Sequence, residues 1–365
     1  MVASSRDGAV YRCEECGAQC ELALDRVRCA CGGVLDLVFD TPAFPDSLLT
    51  RDVELVRYRE TIPVDPVELE RASLGAGRTP MVAIGYPRFV KCDFLMPSGS
   101  FKDRGAQVLV ALARSLGATR AVVDSSGNAG AAIAAHCARI GMPCVVVVPS
   151  SAPVQKLRQS RGYGATVLTV EGGRDAAVEV AYSLALEEGS FYASHVENPF
   201  FIEGMKTWAF EVWEQLGDAP AEVVMSVGNG SLLLGAAKGF RYLFDQGLTS
   251  RIPRMIAVQA KGWSALSGDL NHGDDAPLAD GIAISAPRRL KQILGVIEST
   301  KGTVRTVSDE EIRSATRELT SKGIWVESTS GAAWAGSMAS LSESDGPIVV
   351  SLGGAGFKVV GGRVH

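Results

Sequence analysis

From about residue 105 onward, short continuous apolar runs alternate with longer stretches of helical spacing. AQVLVALARSLG (106–117) has helical spacing, and RAVVDSS (120–126) reads as a strand running into a turn. GNAGAAIAAHCARIG (127–141) predicts a helix of small residues, and PCVVVVP (143–149) a strand buried on both sides. The same rhythm continues through QKLRQSRGYG, ATVLTV, RDAAVEVAYSLALEEG and FYASHV. A second series follows with KTWAFEVWEQLG, AEVVMSV, GSLLLGAAKGFRYLFDQG, RMIAVQA, DEEIRSATRELTSKG and PIVVSLG. Apolar strands without polar alternation, each followed by a helix, predict parallel sheets covered on both faces. The fold class is therefore α/β, with two doubly wound open-sheet domains. Ahead of them VLDLVFD (34–40) predicts a strand, and residues 41–80 show little periodicity.

A length of 365 residues with 46% hydrophobic content supports a large core and two or three domains. The net charge of -5 gives no basic footprint for nucleic acid or an anionic membrane. The opening MVASSRDGAVYRCEECG has no apolar stretch of signal-peptide type, and the longest apolar run, CVVVVP, is far below membrane-spanning length. A cytoplasmic protein is expected.

Five of the eight cysteines lie in CEECGAQCELALDRVRCACGG. Cys13 and Cys16 form a C-x-x-C, and Cys29 and Cys31 a C-x-C before two glycines. Two close thiolate pairs suit a tetrahedral zinc, which holds together a segment too short to bury its own core. A disulfide pair or a redox motif is the competing assignment, disfavoured by a reducing compartment and by the absence of a flanking strand and helix. Residues 1–40 are thus expected to be a small zinc-ribbon-like segment. Cys20 reads as a spare thiol, and Cys92, Cys137 and Cys144 as core residues.

Three glycine-rich turns follow predicted strands: DSSGNAGAA, SVGNGSLLLGAAKGF and SLGGAGFK. In open parallel sheets such turns are where ligands meet unsatisfied helix N-termini. None carries a dinucleotide or P-loop fingerprint. Gly228-Asn229-Gly230-Ser231 nevertheless offers free amides, a positive dipole end and a hydroxyl to a phosphate. Together with a lysine framed by small residues in PSGSFKDRG, it suggests pyridoxal phosphate, held by Lys102 as a Schiff base.

At this point a resemblance carries further. The chain resembles the fold-type II pyridoxal-phosphate enzymes (tryptophan synthase β-subunit superfamily) and, within them, is similar to the threonine synthase family. The likeness rests on CEEC...CACGGVLDLVFD, LGAGRTPM, VKCDFLMPSGSFKDRG, SSGNAGAAIAA, ENPFFIEGMKT, VGNGSLLLGAAKGF, ADGIA and GIWVESTSGAAWAG, in order along nearly the whole chain. It implies that Lys102 carries the cofactor and moves the α- and β-protons, and that Asn128 bonds the cofactor's 3'-oxygen. Ser125, Ser126, Gly127 and Ala129 would meet the substrate carboxylate, and Gly228, Asn229, Gly230, Ser231 and Leu232 the cofactor phosphate. Ser98 and Ser100 would face the leaving group or carboxylate, with capping of the following helix as their plainer role.

One stretch departs from the family. Where threonine synthases usually carry LTGHGLK, with a threonine hydroxyl at the pyridine nitrogen, this chain has SLGGAGFK and so Gly353. Ser351, two residues earlier on the same side of a strand, is the candidate replacement. The expected reaction is O-phosphohomoserine plus water giving threonine and phosphate. The alternatives are β-replacement on O-phosphoserine or O-acetylserine (cysteate- or cysteine-synthase-like, or diamino-acid-forming), threonine or serine dehydration, and a catalytically silent homologue. Lys156, Arg158, Arg161 and Lys206 are candidate cations for a leaving phosphate. No histidine pair has ligand spacing: His136 reads as a packing residue, His195 follows the strand FYAS with an approach to the domain cleft as its minor reading, and His272 lies in an acidic loop. The expected domains are 41–104 with 201–365 as the large cofactor-binding part and 105–200 as a small mobile one, the site lying between them; a homodimer is implied by the resemblance.

Overall fold

In the computed structural model, residues 8–52, 54–271, 277–342 and 345–358 are described; His272 and the acidic residues that follow it, through 276, lie outside them. In chain order the strands are β1 (Val10–Cys13), β2 (Gln19–Cys20), β3 (Leu35–Val38), β4 (Met81–Ala83), β5 (Arg88–Lys91) and β6 (Arg120–Val123). They continue as β7 (Cys144–Pro149), β8 (Thr166–Val170), β9 (Ser190–Tyr192), β10 (Glu222–Ser226), β11 (Arg254–Ala260), β12 (Thr303–Val307) and β13 (Ile348–Ser351). The α-helices are α1 (Pro66–Arg71), α2 (Lys102–Ser115), α3 (Asn128–Arg139), α4 (Val154–Gly162) and α5 (Arg174–Ala185). After them come α6 (Pro199–Leu216), α7 (Ser231–Asp245), α8 (Leu290–Ser299), α9 (Asp309–Ser321) and α10 (Ser328–Gly336).

The chain divides into two compact units, Met1–Arg78 with Lys102–Gly204, and Thr79–Phe101 with Met205–His365. The first holds the antiparallel sheet β2-β1-β3 and the wholly parallel sheet β8-β7-β6-β9. Its core joins Val122, Val147 and Tyr192 of the parallel sheet to Ala177, Ala181 and Ala185 of α5. Residues 41–78, grouped with the large domain in the sequence reading, pack with this unit. The Leu69 carbonyl accepts from Gln107 of α2 at 2.9 Å, and the Ala72 carbonyl lies 2.7 Å from His136 Nδ1 of α3. The buried His136 also meets Asp103 at 3.3 Å, so it is a packing residue with two polar partners.

The second unit is the sheet β12-β11-β10-β13-β5-β4, parallel except at the β4–β5 edge. Val223, Val224 and Met225 of β10 are all fully buried, which is why this strand shows no polar alternation. Each such side chain contributes about 1.5–3 kcal/mol relative to exposure. Trp334 of α10 is buried in the core with Val224, Ile256, Val258 and Val350. A charge pair is buried in this unit: Lys91 of β5 meets Glu211 of α6 at 2.7 Å and donates to the Thr79 carbonyl. A buried pair of this kind requires both partners, since either alone would be an uncompensated charge.

Candidate active site

Lys102 is the first residue of α2, and its ammonium lies 5.8 Å from the centre of the Phe201 ring. The ring reaches this place because residue 105 is glycine; a Cβ there would come within 2.5 Å of Phe201. His195, beyond β9, stacks edge-on to the same ring at 5.9 Å. It is buried, and its Nδ1 has no hydrogen-bond partner among the described residues. Burial, with the Lys102 charge added, holds this imidazole well below its usual range, so it is neutral. Arg174, at the start of α5, adds to the same shift, and it is a cation that the sequence reading did not name. Lys156, Arg158 and Arg161 are exposed on α4, and Lys206 is buried in α6.

The turn from β6 into α3 carries Ser125, Ser126, Gly127, Asn128 and Ala129. Gly127 is the N-cap and supplies no side-chain cap, leaving the helix start to be met by something else. Gly130 is obligatory, because a Cβ there would run into the Ser125 carbonyl. A carboxylate is therefore favoured at this helix start. Before the turn comes Asp124, whose carboxyl is raised by burial and accepts a hydrogen bond from Tyr192. An acid immediately ahead of the DSSGN turn was a visible signal that the sequence reading passed over.

The second unit holds the remaining predicted residues. Gly228, Asn229 and Gly230 lead from β10 into α7, which starts at Ser231 with Leu232 next. Gly230, the N-cap, has φ 77°, a left-handed conformation that favours glycine, and it offers no side-chain cap. A Cβ at Gly228 would come within 2.9 Å of the Gly281 carbonyl, so both glycines keep backbone rather than side chains at the helix start. That cradle fits a phosphate. Gly230→Ala is expected to weaken pyridoxal phosphate binding about tenfold, because alanine in the left-handed region costs roughly 1–2 kcal/mol. Titration of apoenzyme with the cofactor checks this.

Residues 97–101 are knit to the turn after β13. The Phe101 amide donates to the Gly353 carbonyl at 2.9 Å, the Ala355 amide to Gly99 at 3.0 Å, and Lys358 Nζ to the Ser98 carbonyl at 2.7 Å. Ser98 and Ser100 are both buried, and the Ser100 hydroxyl has no partner among the described residues, so it does not cap α2. At Gly353 a Cβ would stand 2.8 Å from the Phe101 ring, so the aromatic neighbour of Lys102 fills the space of the missing side chain. Ser351, at the end of β13, is buried, and its hydroxyl has no partner among the described residues. Orphaned hydroxyls of this kind are what a pyridine nitrogen or a substrate oxygen would satisfy. Ser351→Ala is expected to lower turnover by no more than about tenfold, the worth of one neutral hydrogen bond. A fall of several hundredfold in steady-state assays would give Ser351 a larger part.

Near the N-terminus, Cys13, Cys16, Cys29 and Cys31 bring four Sγ atoms within 4.8 Å of one another. Cys13 and Cys31 are 3.5 Å apart and Cys16 and Cys29 3.6 Å, against about 3.8 Å between thiolates around a tetrahedral zinc at 2.3 Å. Backbone amides, that of Cys16 foremost, draw the Cys13 thiol down to about 6. Crowding by Cys13, Cys16 and Cys29 pushes Cys31 up to about 12, because four neighbouring thiols do not all ionise without a cation. The donor set fits zinc. Cys92, Cys137 and Cys144 are buried, and Cys20 is half-buried, outside the cluster.

The chain is similar to known proteins over most of its length. The chain is 33% identical to threonine synthase of Methanocaldococcus jannaschii, over 96% of its own length and 93% of the relative's. It is likewise 33% identical to threonine synthase of Methanosarcina acetivorans, over 89% of this chain and 85% of that one. Among solved structures, the O-acetylserine dependent cystathionine beta-synthase from Helicobacter pylori matches with a TM-score of 0.68 at 25% identity, covering 82% of this chain and 98% of that one. The family pattern of the pyridoxal-phosphate dependent enzymes matches residues 72–354, from beyond the cysteine ribbon to the turn after β13. The chain belongs to the pyridoxal-phosphate dependent enzyme family.

Proposed function

We propose that this chain is a threonine synthase, converting O-phosphohomoserine and water to threonine and phosphate. The observation that carries the reading is the likeness to a threonine synthase over 96% of the chain. When bound, pyridoxal phosphate supplies an aldehyde that captures an amine and a ring that delocalises carbanion charge.

The chain's own residues supply the rest. Lys102 holds the cofactor and, once released, moves protons at the substrate's α- and β-carbons. Asn128 orients the ring through its 3'-oxygen, and Ser351 meets the pyridine nitrogen in place of the hydroxyl absent at Gly353. The cradle of Gly228, Asn229, Gly230, Ser231 and Leu232 holds the cofactor phosphate by backbone amides. Ser125, Ser126, Gly127 and Ala129 hold the substrate carboxylate at the start of α3, and Ser98 and Ser100 face the leaving phosphate. Neutral His195 neither repels the Lys102 ammonium nor competes with it for the substrate's anions. Cys13, Cys16, Cys29 and Cys31 hold one structural zinc. A cytoplasmic homodimer completes the reading. No helix among the described residues is long and apolar enough to cross a membrane.

The test is a panel of O-phosphohomoserine, O-phosphoserine, O-acetylserine and threonine, scored by phosphate, threonine and keto-acid formation. Threonine and phosphate in equal amounts from O-phosphohomoserine are expected. Turnover of O-phosphoserine or O-acetylserine with an added nucleophile, and none of O-phosphohomoserine, overturns the reading in favour of β-replacement.

A further inference from the structure

Contacts through Arg28 and Tyr11 tie the cysteine ribbon to the segment that follows β9, and Arg28 and Val27 also reach α5 and the parallel sheet. Arg28, the residue before Cys29, bonds Glu197 through Nε at 3.1 Å and through its terminal nitrogen at 2.8 Å. Glu197 is only 4% exposed, so the arginine neutralises a carboxylate taken out of water. The same guanidinium lies 5.8 Å over the Tyr182 ring. Beside Arg28, Val27 packs in one cluster with Val122 and Tyr192. Tyr11 of β1 meets Phe200 edge-on at 6.1 Å.

The segment so held is a compact turn. The Ser194 hydroxyl accepts from the Glu197 amide at 3.2 Å, the Ser194 carbonyl from the Asn198 amide at 3.1 Å, and the Asn198 side chain from the Phe200 amide at 3.0 Å. Within it lie His195 and, at its end, Phe201, the two rings that stack beside the Lys102 ammonium. A contiguous set of contacts thus runs from a thiolate knuckle through Arg28 and Glu197 to the surroundings of Lys102.

We propose that Arg28 is a positioning residue, through which the metal-held ribbon fixes the Ser194–Phe201 turn and thereby the setting of Lys102. The inference rests on the reading of Lys102 as the cofactor lysine, and it gives the ribbon a part in turnover beyond holding itself together. Loosening the turn would displace His195 and Phe201 without touching substrate, and small displacements of this kind cost up to about a hundredfold in rate.

The test compares Arg28→Met, Arg28→Lys, the double variant Arg28→Met/Glu197→Gln, and wild-type enzyme stripped by a zinc chelator. Amide hydrogen exchange is read on the whole chain without substrate, alongside kcat and KM. In Arg28→Met, exchange across 194–201 is expected to quicken at least roughly tenfold while β6 and β7 are unchanged, with kcat falling more than KM rises. Arg28→Lys is expected to restore most of the protection. The double variant removes the carboxylate's charge as well, so quickening that persists there reports the lost link rather than a buried charge. Chelation is expected to reproduce the local effect in wild-type enzyme and to add nothing at 194–201 in Arg28→Met. Unchanged exchange in Arg28→Met, or a uniform rise over the whole unit, overturns the proposal, as does a chelator effect at 194–201 undiminished in Arg28→Met. Exchange is measured without substrate, so failure of the assigned reaction leaves this result standing.

Discussion

Lys102→Ala is expected to lower turnover at least roughly a thousandfold, the combined worth of a covalent anchor and a positioned proton carrier. Three features make this the largest single loss. Lys102 stands at the first position of α2, where no preceding turn of helix covers it. The Phe201 ring and the buried, neutral His195 lie beside it, so neither adds a like charge to its surroundings. The segment before it is fixed by the Phe101 and Ala355 amides to the turn after β13. Cofactor affinity should fall much less than turnover, because the Gly228–Leu232 cradle keeps its hold on the phosphate. Borohydride reduction of loaded wild-type enzyme followed by peptide mapping should label Lys102. A label on another lysine, or substantial turnover in Lys102→Ala, would remove the residue from its role.

Much of this site was legible in the sequence because its parts are local. A lysine in PSGSFKDRG, a turn in SSGNAG and another in VGNGS each announce themselves within ten residues. The parallel strands were equally plain, since burial on both faces leaves continuous apolar runs such as CVVVVP. What escaped was of two kinds. The helix α1, the edge strand β4 and its neighbour β5 are short, and the two strands are broken apart by Gly85 and Pro87, so neither period could show. The polar surroundings of Lys102 escaped because their members come from distant segments. Arg28 and Glu197 are 169 residues apart, and nothing in DRVRC marks its arginine as the partner of a buried acid. His195 looked ordinary for the same reason: its burial and its ring contact with Phe201 are products of the fold. Gly353 shows the converse case, an apparent loss in the sequence whose space the structure fills with the Phe101 ring.

Cys13→Ser is expected to release the metal and unfold the ribbon, with a loss of stability larger than the loss of turnover. The buried apolar residues of β1 and β3 are few: Tyr11, Cys13, Leu35 and Leu37. Three antiparallel strands of four, two and four residues cannot hold together on that core alone. Binding of a structural zinc by a small thiolate site is worth on the order of 10 kcal/mol, so a zinc bound here would outweigh the apolar contacts in holding this segment folded. Cys13 is the ligand to remove, because it is the buried one of the four and its thiol already ionises near about 6. Serine cannot replace it, since its hydroxyl stays protonated where the thiol gives up its proton. The expected results are one zinc per chain in wild type and much less in Cys13→Ser, rapid exchange across β1 to β3, and a lowered thermal midpoint. Turnover should fall only as far as the Arg28–Glu197 link is loosened, by up to about a hundredfold and not to nothing, because Lys102 and both glycine turns lie outside the ribbon. Wild-type enzyme free of zinc with its ribbon protected from exchange would show that the four thiols hold the segment without a metal.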